Sequence, residues 1–248
     1  MKTTAAVLVP AYNVTPWPND FVARMRAAFQ ALRETEQIEP CLILVDDGSC
    51  ISGTQEGHHR PVLARIGGRV VTARHAINQG QGAALQTALE IARGPLVAAD
   101  WFVTFDSDGQ HAPEDIPPLL SHLRTSGLDI VFGNRFAPEF LRQSGMPSSR
   151  RVLLRLASLF DRWFTGLSLH DAHNGLRAFG KKAAAVIELR QNRMAHATEF
   201  KLIVARHKLR YGEFPMRMRY TEETLRQGQD NLNAVNIIGE LFASWWFQ

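Results

Sequence analysis

The sequence predicts an α/β fold in which a mostly parallel central sheet is flanked by helices. Short apolar runs typical of buried strands alternate along the chain with longer segments of helical periodicity. Such alternation favours β–α–β units, which place helices on both faces of one sheet. Polar, loop-forming residues follow most of the apolar runs, and ligands of such sheets bind beyond the carboxyl ends of the strands. The predicted strands are residues 4–9, 41–45, 70–73, 101–105 and 129–132.

The intervening segments have the spacing and end signals of helices. Residues 82–93 carry an apolar face and stop at Gly94, and residues 113–124 have a proline at the first turn. The second half is less regular, with a loop and a strand within residues 171–179. We expect one domain over residues 1–248. The other predictions are helices at 20–34, 152–164 and 195–207, a strand at 212–220, and a C-terminal apolar helix at 232–248.

Composition excludes several classes of protein. A charged share of 21% and a hydrophobic share of 45% are those of an ordinary globular protein. A net charge of +4 suits a phosphate-bearing ligand, and we expect no nucleic-acid partner. The N-terminus turns polar too soon for a signal peptide, and no stretch reaches the roughly 18 apolar residues of a membrane span. We therefore expect a cytoplasmic protein, at most peripheral at the inner face of the cytoplasmic membrane.

Two aspartates follow the strand predicted at residues 101–105. Asp106 and Asp108 are alternate residues, so both side chains can leave the strand end on one side. Magnesium or manganese would accept these carboxylates together with phosphate oxygens from a ligand. Such a pair alone can be a solvated loop. Gln110 and His111 extend the cluster and favour a metal site.

Two further loops are open to more than one interpretation. Residues 46–49 (DDGS) can form an ordinary turn, or Asp47 can accept hydrogen bonds from a nucleotide base or ribose. Residues 78–82 (NQGQG) precede a helix and partly match a dinucleotide-binding loop. They do not follow the first strand and the pattern is incomplete, so a loop that supports a nucleotide pocket is favoured.

Six motifs, in this order, resemble family 2 glycosyltransferases of the GT-A fold. The branch they are most similar to is that of the dolichyl- and polyprenyl-phosphate sugar synthases, and the resemblance covers roughly residues 4–220. Each motif is weak by itself, and their order makes the resemblance specific. The motifs are VPAYN (9–13), VDDGS (45–49), NxGxGxA (78–84), FDSDGQHxPED (105–115), GNR (133–135) and NGLRAF (174–179).

The resemblance implies roles for individual residues on the donor side. Those implied to bind the donor are Pro10, Ala11, Tyr12, Val45, Asp47, Asp106, Ser107 and Arg135. Among them Tyr12 would offer its ring face to the base. Asp106, Asp108 and Gln110 would hold Mg²⁺ or Mn²⁺, with Asp108 also catalytic. The branch often carries lysine where this chain has Gln81.

The resemblance also implies a reaction. It would be a metal-dependent, inverting transfer of a sugar from a nucleotide-diphosphate sugar to a polyprenyl-phosphate or lipid-linked acceptor. Arg177 would be catalytic and substrate-binding, facing phosphate as Arg135 does, because guanidinium matches phosphate bidentately. A surface ion pair is the alternative for both arginines. An acid-free patch, residues 142–155 with Arg142, Arg150, Arg151 and Arg155, would steer the acceptor phosphate.

Two other functions stay open from sequence, and a third is disfavoured. A sugar hydroxyl of a cell-surface glycan could be the acceptor, with Glu199 as general base and His196 as second choice. A non-catalytic nucleotide-sugar-binding protein could keep the same fold. A nucleotidyltransferase would need a basic, Gly-rich loop after the first strand, which PAYNVTPWP is not.

The C-terminal apolar segment raises the question of a membrane partner. Residues 233–247 place large apolar side chains at near-helical spacing and end in Trp245 and Trp246. Core packing or an oligomer contact is the favoured interpretation. The alternative is an interfacial helix with its tryptophans at headgroup depth.

Overall fold

The computed structural model describes residues 3–14, 17, 20–50, 63–141, 146–171, 174–192 and 195–219. Its strands are β1 (Thr3–Ala11), β2 (Ile38–Asp46), β3 (Arg69–Arg74), β4 (Trp101–Thr104), β5 (Ile130–Asn134), β6 (Arg177–Gly180) and β7 (Tyr211–Pro215). Its helices are α1 (Phe21–Thr35), α2 (Gln81–Arg93), α3 (Ile116–Ser126), α4 (Pro138–Leu141), α5 (Ser148–Thr165), α6 (Lys181–Ala184) and α7 (Ala195–Arg206). Single 3₁₀ turns lie at Ala64–Ile66 and Pro113–Asp115.

The described strands form one seven-stranded sheet in the order β3-β2-β1-β4-β6-β5-β7. The β1–β2, β2–β3, β1–β4 and β5–β7 pairs are parallel, and β6 runs antiparallel to both β4 and β5. Because β6 runs the other way, it begins where its neighbours end. Its first residue, Arg177, pairs with Thr104 of β4 and with Phe132 of β5.

Each face of the sheet carries its own layer of helices. Alternate residues of β1 face opposite sides, so Ala5, Val7 and Val9 pack in one apolar cluster while Ala6 and Leu8 pack in the other. The first cluster includes the buried faces of α1 and α3, and the second includes those of α2 and α7. This arrangement confirms the predicted α/β class.

The structure moves several predicted boundaries. The strand expected at 212–220 ends at Pro215, after which Met218 makes only an isolated bridge to His111. The helix expected at 113–124 starts as a 3₁₀ turn, and α5 starts four residues before Val152. The short α4 was not predicted. The C-terminal helix expected at 232–248 lies outside the described residues, and the single-domain extent 1–248 stays a prediction.

Candidate active site

One edge of the sheet collects the loops that the sequence singled out. β1, β2 and β4 are parallel, so the segments after Ala11, Asp46 and Thr104 emerge at the same edge. The antiparallel β6 adds the segment before Arg177 to that edge, which a wholly parallel sheet would place at the far side. Residues from four places in the chain therefore meet there.

Asp106 is held from three sides. Gln81, the first residue of α2, donates its side-chain N–H to Asp106 Oδ1 at 2.8 Å. His111 Nε2 lies 3.1 Å from Oδ2. A Cβ atom on Gly175 would lie 1.8 Å from Oδ2, so the glycine leaves the space that this carboxylate occupies. The Asp106 side chain nevertheless keeps 23% of its surface exposed. It is oriented but open to a ligand.

The two aspartates of the motif differ in electrostatic environment. Burial works to raise the pKa of Asp106, but hydrogen bonding to His111 and the charge of Arg177 outweigh it, and the pKa falls below its usual value. The pKa of Asp108 is raised, first by burial and then by the charge of Asp106. The Asp108 carboxylate accepts a 2.9 Å hydrogen bond from the Gln110 backbone N–H.

This electrostatic environment fits a divalent cation. Burial first, and then the charge of Asp106, disfavour the ionised form of Asp108 and raise its pKa, and a bound cation would offset both effects. Asp106, Asp108 and Gln110 are oxygen donors of the kind that Mg²⁺ and Mn²⁺ accept. In the described part of the chain, no three His, Cys, Asp or Glu side chains converge as a metal-binding group. Magnesium is commonly bound by one or two carboxylates and completed by phosphate oxygens.

Asp47 holds the glycine-rich loop. Its two oxygens accept backbone N–H groups from Gln79 at 2.9 Å and Gly80 at 2.7 Å, and His75 Nδ1 lies 2.7 Å from Oδ1. Gly48 next to it has a φ of +71°, and a Cβ there would lie 2.4 Å from the backbone of residue 77. The DDGS turn and the loop before α2 are therefore locked together, and a nucleoside contact by Asp47 stays a prediction.

The other predicted donor residues line the end of β1. Pro10, Ala11 and Val45 are buried, and Val45 belongs to the core cluster on the α2 face. Tyr12 is 48% exposed, so its ring is accessible. Ser107 donates its hydroxyl to the Pro10 carbonyl at 2.7 Å. This bond fixes the acidic loop to the end of β1.

Neither Arg135 nor Arg177 is on the surface. Arg135 Nε donates to Asp171 Oδ2 at 2.6 Å, with both side chains buried. Arg177 is 2% exposed, and its guanidinium lies 4.8 Å from the centre of the Phe200 ring. Burial lowers the pKa of Arg177 to about 10, against the opposing charges of Asp106, Asp171 and Asp161. Its Nη1 is buried and makes no hydrogen bond with the described residues. The surface ion pair is thus wrong for both.

The α7 helix carries another buried cation, whose charge interacts with that of Arg177. Lys201 is 1% exposed and pairs with Asp161 of α5, which also accepts a 3.0 Å hydrogen bond from Thr198 Oγ1. Burial lowers the pKa of Lys201 to about 8 although Asp161 works against it. This pair fixes α5 to α7, the helix that supplies the ring under Arg177.

The two candidate bases lie in different surroundings. Both oxygens of Glu199 accept backbone N–H groups, from Arg190 at 2.9 Å and 3.1 Å and from Gln191 at 2.8 Å. His196 is 4% exposed, and its charge contributes to the lowered pKa of Asp106. Glu199 thus ties the segment before α7 to that helix. Its role as a base stays a prediction.

Several residues at this edge were not assigned a role from sequence. Gln81 was noted only as a departure from lysine, and the contacts of His75, Gly175 and Asp171 were not foreseen. Gly175 lies inside the NGLRAF motif, between a polar and an apolar residue. This glycine was the one feature of the sequence that could have indicated a close contact there. Of the predicted arginine patch, Arg142 and the Arg150 side chain lie outside the described residues, while Arg155 is exposed.

Comparison with known proteins agrees with this arrangement. A family model described as glycosyl transferase family 2 matches residues 6–187. The chain belongs to that family and is a glycosyltransferase, as its six motifs predicted. It is 30% identical over 202 residues to an uncharacterized protein of Methanocaldococcus jannaschii, covering 81% of this chain and 79% of that one.

Two enzymes with named activities are also similar. A UDP-N-acetylglucosamine–dolichyl-phosphate N-acetylglucosaminyltransferase of Methanococcus voltae is 34% identical over 64% of this chain and 63% of its own length. A polyprenol monophosphomannose synthase of Mycolicibacterium smegmatis is 29% identical over 74% of this chain and 64% of its own. These matches thus span somewhat less than two thirds of each enzyme.

Solved structures confirm the GT-A fold. Glucosyl-3-phosphoglycerate synthase from Mycobacterium tuberculosis, in complex with Mn²⁺, UDP and phosphoglyceric acid, superposes with a TM-score of 0.62 over 98% of this chain and 78% of that one. The identity is 16%. The same enzyme with Mg²⁺ and UDP gives 0.61 over 96% and 78%, also at 16% identity.

Proposed function

We propose that this chain transfers a sugar from a nucleotide-diphosphate sugar to a polyprenyl-phosphate or other lipid-linked acceptor, with inversion at the anomeric carbon and with a divalent cation. The observation that carries the proposal is the pair of carboxylates that follows β4, with Asp106 oriented by Gln81 and His111, at the sheet edge that also holds the buried Arg177. A cation and an arginine at one edge provide for the diphosphate of the donor and the phosphate of the acceptor. The dolichyl-phosphate and polyprenol activities named for the Methanococcus and Mycolicibacterium enzymes support this acceptor class.

The donor would lie along the end of β1. The exposed ring of Tyr12 is suited to stack on a base, and Asp47, after the neighbouring strand β2, holds the loop before α2. The hydrogen bond from Ser107 to Pro10 joins the base-binding end to the acidic loop. Base and diphosphate would then be held by one connected unit.

The cation would be held by Asp106, Asp108 and Gln110. When bound, it supplies positive charge that stabilises the departing nucleoside diphosphate. Gln81 and His111 keep the Asp106 carboxylate oriented towards that position. The Mn²⁺–UDP and Mg²⁺–UDP complexes of the mycobacterial synthase support the choice of metal.

The acceptor would approach from the α5 side. A cavity of about 590 Å³ includes in its lining Asn134, the residue before Arg135 in the sequence. It is lined by apolar side chains, by two arginines and by two carboxylates; these include Phe136, Leu159, Leu169, Arg155, Arg162, Glu139 and Glu213. A phosphate acceptor is already anionic and needs no strong base. The engagement of both Glu199 oxygens by backbone N–H groups favours this acceptor over a sugar hydroxyl.

The test combines ligand binding with a substitution in the acidic pair. Thermal unfolding is measured with each nucleoside diphosphate, with and without Mn²⁺, because a ligand that binds the native state raises Tm. We expect one nucleotide to raise Tm only in the presence of metal. Asp108→Asn should abolish that rise and should lower turnover by at least about 100-fold. Because the raised pKa of Asp108 means that its charge destabilises the fold, Asp108→Asn itself should not lower Tm.

Asp100→Asn is the matched control, since Asp100 precedes β4 at the opposite edge of the sheet and bonds to the Thr4 backbone. It should keep the metal-dependent rise. A rise of equal size in Asp108→Asn would refute the metal role. Turnover is then measured with polyprenyl phosphate and with free glycans, and transfer to glycans alone would refute the acceptor class.

A further inference from the structure

The α5 helix has an unusual distribution of side chains. Of the seven large apolar residues that are strongly exposed in the described part of the chain, four lie on α5: Val152 and Leu156 at 59%, Leu159 at 62% and Trp163 at 80%. Their spacing of four, three and four residues places them in one stripe along the helix. The stripe is about 16 Å long at 1.5 Å per residue.

The opposite side of α5 faces the protein and carries three buried polar side chains beside Leu154, which packs against the first apolar cluster. Ser158, Asp161 and Thr165 are each less than 9% exposed, and they lie roughly half a turn away from the apolar stripe. Asp161 is paired with Lys201, and the Ser158 and Thr165 hydroxyls donate to backbone carbonyls. A helix at a water interface normally directs its polar side outwards. On α5 this order is reversed.

The charges on the exposed surface of α5 have a single sign. Arg155 and Arg162 are exposed and lie along one border of the stripe. Asp161 is the only acidic residue of the helix, and it is buried. An apolar stripe edged by arginines and ending in a tryptophan complements an anionic bilayer surface, where the tryptophan ring and the arginine heads lie at headgroup depth.

We infer that α5 lies in the plane of an anionic membrane surface, with Val152, Leu156 and Leu159 immersed and with Trp163 and the arginines at headgroup depth. The cavity lined by Asn134 is also lined by Leu159 and Arg162 of α5, so binding this face to a bilayer would bring the cavity to the lipid. The apolar stripe contains neither Asp106 nor Asp108. Membrane binding by α5 can therefore be absent while the proposed reaction still occurs.

The experiment is co-sedimentation of the full chain with vesicles of phosphatidylcholine, with and without phosphatidylglycerol. We expect binding to the anionic vesicles that weakens as NaCl rises from about 0.05 to about 0.5 M, because salt screens the arginines. The double variant Leu156→Ser/Trp163→Ser should bind about tenfold or more weakly. Both side chains are exposed, so the variant should keep the wild-type Tm and its nucleotide response.

Leu96→Ser is the matched control, because Leu96 is 56% exposed in the loop between α2 and β4. It should bind vesicles as the wild type does. Absence of wild-type binding, or equal binding by the double variant, would overturn the inference. Sedimentation velocity provides a further check. A wild-type dimer that the double variant converts to monomer, without vesicle binding, would assign the stripe to a second copy and likewise overturn it.

Discussion

Replacing Gly175 by alanine tests the site through a residue that carries no functional group. The added Cβ would lie 1.8 Å from Asp106 Oδ2 and 2.4 Å from its Cγ. Restoring an ordinary contact of 3.4 Å requires a displacement of about 1.6 Å. The φ of Gly175 is not in the left-handed region, so the effect of the substitution is steric and not a backbone strain. The carboxylate is the group that must move.

Such a shift should impair both function and stability. A misplacement of about 1 Å at a reacting centre can cost about 100-fold in rate, so we expect kcat/KM to fall by at least that factor, or about 2.7 kcal/mol. Overpacking should cost about 1–3 kcal/mol of unfolding free energy. Calorimetric titration with Mn²⁺ and the nucleoside diphosphate identified by thermal shift measures the affinity, and urea unfolding measures the stability.

A double-mutant cycle separates the clash from other causes. In an Asp106→Ala background the carboxylate is absent, so adding Gly175→Ala should lower neither stability nor residual binding further. If Gly175→Ala in the wild type kept full nucleotide affinity and turnover, the orientation of Asp106 would not matter. The reasoning about the acidic pair would then be wrong.

Two further predictions concern the contacts behind the site. Gln81→Ala removes the 2.8 Å hydrogen bond to Asp106 and should weaken metal–nucleotide affinity by up to about tenfold. Calorimetry measures this affinity. An unchanged value would show that this bond does not orient the carboxylate. Lys201→Met leaves Asp161 buried without its cation and should lower the free energy of unfolding in urea by about 3–5 kcal/mol. The double variant Lys201→Met/Asp161→Leu should recover much of that loss. Equal unfolding free energies for the single and double variants would contradict a role for this pair.

Much of the fold could be predicted because its elements follow local patterns. The strands of the first half and helices such as α1 and α2 lie within a few residues of the predicted bounds, since short apolar runs and helical periodicity mark buried strands and faces. Boundaries failed where the local signal was weak. Ser148 and Ser149 are polar and gave no sign of the start of α5. After Pro215 the apolar–polar alternation continues, but the only strand pairing there among the described residues is one isolated bridge.

The position of the site followed from a rule about parallel strands, but its internal contacts did not. Nothing near Glu199 in the sequence indicates that backbone N–H groups of Arg190 and Gln191 occupy both its oxygens. The contact of Gly175 with Asp106 joins residues almost seventy positions apart. Such contacts depend on which strands are neighbours and on how closely their ends approach.

The sequence by itself determined that the chain is α/β, that polar loops follow its strands, and that a pair of carboxylates leaves β4. Tertiary structure alone decided that β6 runs against its neighbours and so delivers Arg177 to the same edge, and that α5 turns its apolar stripe outwards. The physical reason is that local patterns record which residues are apolar and how they repeat. The direction of a strand in a sheet, and the side of a helix that is covered, depend on what the rest of the chain packs beside them.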